Sequence, residues 1–157
     1  MKKIAIFLSL VIFLAACGGG QMTPPNQPTT IKKTSSSPED DMLAQGKGIG
    51  EVKSVELGTP LDQARVGRGK SIYDMKCSAC HKLTAERVVG PGWLGLTKTR
   101  KPEWIMNMIT NVEVMLEKDP EAQKLLELCL TRMPNQNVSI GDARDVLEFM
   151  RQVDGEK

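Results

Sequence analysis

Three stretches of this chain place apolar side chains on the three-to-four-residue spacing of an amphipathic helix. They are Trp104, Ile105, Met108 and Ile109; Ala122, Leu125, Leu126 and Cys129; and Val146, Phe149, Met150 and Val153. Each follows a helix-start signal: Pro102, Asp119-Pro120, and Ser139 with Asp142 three residues on. A fourth start signal, Thr59-Pro60-Leu61-Asp62, predicts a helix from Pro60 to about Lys76, with Thr59 as cap and Asp62 closing a capping box. Two Gly/Pro-bearing breaks separate these helices, "VVGPGWLGL" at 88–96 and "TRMPNQN" at 131–137. Residues 49–58 are expected to run extended over the core. The pattern predicts a small all-α domain with no internal repeat.

The first third of the chain follows a different pattern. "MKK" precedes an apolar run, Ile4 to Ala16, which is too short for the roughly 20 residues of a membrane-spanning helix but suits the leader of an exported protein. Leu14-Ala15-Ala16-Cys17 resembles the bacterial lipobox. That resemblance implies cleavage of residues 1–16 and lipid modification of Cys17, with enough acyl chain for stable anchoring. Gly18, rather than an acidic residue, follows the cysteine, which points to the periplasmic face of an outer membrane. Residues 18–46 are rich in Gly, Pro, Thr and Ser and are expected to form a disordered tether. The expected organisation is therefore a signal peptide over 1–16, a lipidated N-terminus and tether over 17–46, and one domain over 47–157. Lys2 and Lys3 lie in the leader, so of 21 basic and 19 acidic residues the remainder keeps 19 of each. That balance argues against a nucleic-acid partner.

"KCSACHK", residues 76–82, holds two of the four cysteines and the single histidine. A Cys-x-x-Cys can be a redox dithiol, half of a zinc site, or, with His directly after it, the attachment point of a c-type haem. A redox dithiol has no use for His81 and belongs near a βαβ pattern, which is absent. Zinc asks for four ligands, usually in two separated pairs, and the chain offers only Cys129 beyond the motif and the proposed lipid site. Haem c uses all three residues, with Cys77 and Cys80 as thioethers and His81 as the proximal iron ligand. One covalent haem c is the cofactor expected. Cys129, among leucines, is expected to be a buried, inert thiol.

At this point residues 60–153 resemble a monohaem class I c-type cytochrome. Gly69 and Tyr73, eight and four positions before Cys77, match the glycine and aromatic with which that family lets its first and last helices cross closely, and Val146 and Phe149 take the facing positions. "VGPGWLGL" resembles the family's loop after the haem motif. This implies that the Pro91 carbonyl accepts a hydrogen bond from His81. Met133-Pro134 resembles the distal-ligand loop, which implies Met133 as the sixth iron ligand. Of the nine methionines, Met106, Met108 and Met150 sit at helical spacing as core filler, while Met115 lies in a stretch of no clear pattern and stays open as an alternative.

A narrower resemblance, to small lipoprotein cytochromes of Bacteroidetes-type bacteria, rests on "GPGWLGLTKTRKPEWIMNMI" with "RMPNQN". Some of these are associated with nitrous oxide reductase. The implied function is a lipid-anchored, periplasm-facing electron carrier between a membrane donor and a reductase, not an enzyme. The alternatives are a gas or peroxide sensor, or an enzyme, with an open distal site. Charge suggests a docking face: Lys82, Arg87, Lys98, Arg100 and Lys101 follow the haem motif, whereas Glu113, Glu117, Asp119, Glu121 and Glu127 dominate 113–127.

Overall fold

The computed structural model describes residues 37–157. They form α1 (Pro38–Ala44), α2 (Gln63–Ile72), a π-helical turn (Tyr73–Cys77), α3 (Leu96–Thr99), α4 (Pro102–Thr110), α5 (Val112–Lys118), α6 (Pro120–Cys129) and α7 (Ile140–Val153). No strand occurs among the described residues beyond one isolated antiparallel bridge, His81 to Arg87. The all-α expectation holds.

The caps explain most boundaries. Ser139 accepts from the Asp142 N–H to open α7, and Asp119 accepts from Glu121 and Ala122 to open α6. The first predicted helix is shorter than expected and starts later. Asp62 is itself the N-cap of α2, accepting from the N–H groups of Ala64 and Arg65, so Thr59 and Pro60 lie outside the helix. The predicted second helix ends at Thr110, and a separate α5 follows that the sequence pattern did not reveal. Its buried residues Val112, Met115 and Leu116 do fall on helical spacing, but the helix is only seven residues long and Asn111 makes no side-chain cap bond, so no start signal marks it.

α2 and α7 cross at Gly69. A Cβ there would run into the Asp145 backbone carbonyl and stand 3.0 Å from Phe149 Cβ, so glycine sets how closely the two helices approach. One turn further on, Tyr73 packs between Trp93 (4.8 Å between ring centroids) and Phe149 (5.6 Å). The solvent side of the crossing is held by charge. Asp145 accepts from Arg65 and Arg68, and Arg68 above all holds its carboxyl below the ordinary range. Beneath lies Glu148, almost wholly buried, which pairs with Arg144 and Arg151 and accepts the Asp62 N–H. Burial pushes this carboxyl up, but the bonds from Arg144, Asp62 and Arg151 prevail and leave it below its ordinary value.

Residues 38–44, expected to belong to the tether, are helical. Ser37 and Asp40 form a capping box at the start of α1, and Met42 is buried. Lys118 pairs with Glu39, at 3.5 Å. After α1 the chain forms no regular element before α2 and bends at 49–51, but it packs over the core as expected and buries Ile49 and Val52. The leader, Cys17 and residues 18–36 lie outside the described residues.

Candidate functional site

The π-helical turn carries α2 into the cysteine motif. The Ser78 N–H reaches back five residues to the Tyr73 carbonyl, and the Cys80 and His81 N–H groups both bond the Cys77 carbonyl. The loop therefore folds tightly over Cys77–His81. Tyr73 fastens it with its hydroxyl, which donates to the His81 carbonyl at 2.7 Å. The His81 ring is set by the next loop: Nδ1 lies 2.8 Å from the Pro91 carbonyl oxygen, the contact that the resemblance implied. With Nδ1 bonded there, Nε2 is left as the nitrogen free to bind a metal. Gly90 makes the approach feasible, since a Cβ would collide with the imidazole. Trp93 backs the ring at 5.8 Å. Neither Gly90 nor Trp93 was singled out as a site residue; a glycine and a tryptophan flanking Pro91 were the available signal.

One cavity of about 370 Å³ opens beside this loop. Cys77, Cys80, His81 and Pro91 line it on one side, and Met133 and Pro134 also belong to its lining. Its walls are apolar: Ile105, Met108 and Ile109 from α4, Leu125 and Leu126 from α6, and Met150 from α7. Cys129 faces this cavity too, half-buried, which places it in the wall of the site rather than in an inert core. Met115 is not among the lining residues. It is fully buried elsewhere, where its Sδ accepts the Ile49 N–H at 3.0 Å.

Burial pushes the Cys77 thiol up to about 11. A redox-active cysteine attacks as the thiolate, which this burial disfavours at Cys77. Among the described residues no three of His, Cys, Asp and Glu converge to hold a metal ion, so the zinc alternative lacks its further ligands. A covalent haem fits. The apolar cavity presents two thiols at the required spacing, an imidazole already oriented by a carbonyl, and a thioether.

The cytochrome c family model matches residues 66–154. The chain belongs to the cytochrome c family. A cytochrome c from Rhodothermus marinus is similar in structure, with a TM-score of 0.67 and 36% sequence identity over 73% of this chain and 96% of that one. An engineered R. marinus cytochrome c bound to a carbene intermediate is similar at a TM-score of 0.64 and 35% identity, again over 73% and 96%. No curated protein matches the chain significantly. This cytochrome is thus a class I monohaem protein with one covalently bound haem c, and its business is electron transfer.

The charge map of this cytochrome differs from the one expected. Lys82 pairs with Glu86, Arg87 donates to the Leu128 carbonyl, and Arg100 pairs with Glu121 while stacking on Trp104 at 4.8 Å. Three of the five basic residues are therefore engaged, one of them with the supposed acidic segment. Asp119 is no part of an acidic face either: it is buried, caps α6 and accepts the Trp104 Nε1–H at 3.1 Å.

Proposed function

We propose that this cytochrome is a lipid-anchored carrier facing the periplasm, which passes single electrons from a membrane donor to a reductase. Nitrous oxide reductase is the partner that the narrower resemblance favours. His81 and Met133 would hold the haem iron, Cys77 and Cys80 would bond its vinyl groups as thioethers, and Cys17 would carry the lipid. The single observation that carries the electron-transfer assignment is that His81 and Met133 line the same apolar cavity as the two motif cysteines.

Bound haem supplies a one-electron couple. The chain does the rest. Pro91 fixes the tautomer of His81 through Nδ1 and makes the ring a better donor. Leu125, Leu126, Ile105 and Ile109 keep water from the site. A neutral thioether and a neutral imidazole favour the ferrous form and raise the potential. With Met133 as the second iron ligand, small molecules would be denied direct access, which suits electron transfer rather than turnover of a substrate.

Met133→Ala tests the ligation. The variant should keep its covalent haem, lose the far-red iron–sulfur absorption and bind carbon monoxide readily when ferrous. If Met133→Ala keeps that absorption, the distal assignment is wrong. Wild-type ferrous protein that binds carbon monoxide at once would support the open-site alternative instead.

A further inference from the structure

α4 buries two faces, and only one of them is apolar. Trp104, Ile105, Met108 and Ile109 line the haem cavity. On another side Glu103, Asn107 and Asn111 follow at four-residue spacing, a polar stripe that on a surface helix would face water. Yet Asn107 is 0% exposed and Glu103 8%. The segment 47–52 lies across them like a strap. Asn107 Oδ1 accepts the Val52 N–H at 3.1 Å, and Nδ2 donates to the carbonyls of Val52 (2.9 Å) and Lys47 (3.0 Å). The side-chain amide thus pairs with both backbone groups of Val52, as a neighbouring strand would. Asn111 adds a bond to the Ile49 carbonyl, Met115 accepts the Ile49 N–H, and Lys47 approaches Glu103 at 3.8 Å.

Two glycines let the strap down. A Cβ on Gly50 would collide with Asn107 Oδ1. Gly48 has φ +70°, and a Cβ on it would come within 2.7 Å of Met115 Sδ and 3.2 Å of Trp104 Cδ1. The strap therefore rests on Trp104 from behind, and Trp104 lines the cavity on its other side.

We propose that Asn107 is a positioning residue for the haem: by clamping the 47–52 strap onto α4 it holds the Trp104–Ile109 wall closed, and so sets how much water, and what potential, the haem experiences. The inference rests on the haem c assignment. The physical link is that the apolar shell around a redox centre controls solvent access, and solvent access shifts its potential. Asn107 never touches the haem; it acts through the strap and α4.

The test uses the full-length holoprotein and two variants. A pyridine haemochrome assay on wild type first verifies the haem, separately from the clamp. Asn107→Leu removes three hydrogen bonds while keeping the branched heavy-atom framework of the side chain. Gly50→Ala leaves every native side chain in place and pushes the strap off Asn107, so it carries the test if Asn107→Leu does not accumulate as holoprotein. Hydrogen exchange at the Ile49 and Val52 amides should quicken by about ten-fold or more, the factor that ~1.4 kcal/mol of lost clamping gives. The potential, from spectroelectrochemical titration, should fall while covalent haem content is unchanged. Faster exchange at an unchanged potential would make the strap purely structural and overturn the proposal. Exchange as slow as wild type in the variant would overturn it equally, because Asn107 would then not be the clamp.

Discussion

At the scale of single residues, glycines decide where things can touch. Gly69 brings α2 against the Asp145 carbonyl, and Gly90 brings the loop against the His81 ring. The first was legible in the sequence, because a glycine eight residues before the cysteine motif resembled a family feature. The second was not, because a glycine inside a Gly-Pro-Gly loop looks like turn chemistry alone. Gly69→Ala is expected to be among the most damaging single-atom changes in the domain. Its new methyl meets backbone rather than a movable side chain, so the helices must part along their length. The expected loss is about 3 kcal/mol, the upper end for overpacking. Denaturant unfolding of the holoprotein measures it, and a loss under about 1 kcal/mol would mean that the crossing yields easily.

At the scale of elements, α7 is tied to what precedes α2 by one buried carboxylate. Glu148 accepts the Asp62 N–H, while Arg151 bonds Glu148 and also donates to the Gly58 carbonyl at 3.0 Å. The folded-state pKa of Glu148 lies below its ordinary value near 4.5, so the unfolded chain binds the proton more tightly. Stability from this group is therefore complete above about pH 4.5 and is lost as pH falls through the lower folded-state value. Asp145, below its ordinary 3.8, acts in the same direction and at lower pH. Acid titration with denaturant unfolding followed by circular dichroism should show wild-type stability falling as pH drops below about 4.5. Glu148→Gln should be weaker at pH 7 by on the order of 3 kcal/mol, since Arg144 and Arg151 lose the buried carboxylate they share, and its stability should depend less on pH in that acid range. A variant with the wild-type acid slope would remove Glu148 as the cause.

The elements themselves were read unevenly, for physical reasons. The helices opened by Pro102, Asp119 and Ser139 announced themselves, because caps and prolines act locally. The late start of α2 did not: Thr59, Pro60 and Asp62 each make a plausible first-turn residue, and only the fold shows that Asp62 is the cap. α5 and the Asn107 clamp depend on contacts with residues 47–52, more than fifty positions away. No local pattern encodes a buried asparagine whose partners are backbone groups. The site was the most legible part, since its cysteines and histidine are contiguous. Met133 and Cys129 came together with them only through the packing of α6 and its following loop.

At the scale of the whole molecule, two proposed contacts govern function: the membrane and the redox partner. Cys17→Ser should release the protein into the soluble fraction with its haem intact. Variant protein that still pellets with membranes after a high-salt wash would rule out acylation as the sole anchor. For the partner, Lys82 pairs with Glu86 and Arg100 with Glu121, which leaves Arg87, Lys98 and Lys101 as the exposed cations of the post-haem stretch outside any ion pair among the described residues. Apolar exposure offers more. Leu130 is 87% and Leu128 64% exposed, and the Arg87 bond to the Leu128 carbonyl ties them to Val88 and Val89, which are also exposed. Val89, Cys129 and Arg132 line the haem cavity, so this patch borders its mouth, and no carboxylate is among the lining residues. The expected docking face is an apolar rim with cations beside it, suited to an acceptor with an apolar patch and acidic surroundings. Leu128→Asp with Leu130→Asp should slow electron transfer at low and at high salt, because desolvation of apolar surface is not screened. Lys98→Glu with Lys101→Glu should slow it only at low salt, over a Debye length of about 10 Å at 0.1 M. Neither pair should move the reduction potential. Stopped-flow transfer to the purified acceptor separates the two contributions: leucine variants as fast as wild type would leave docking to charge, and lysine variants as fast as wild type at low salt would leave it to the apolar rim.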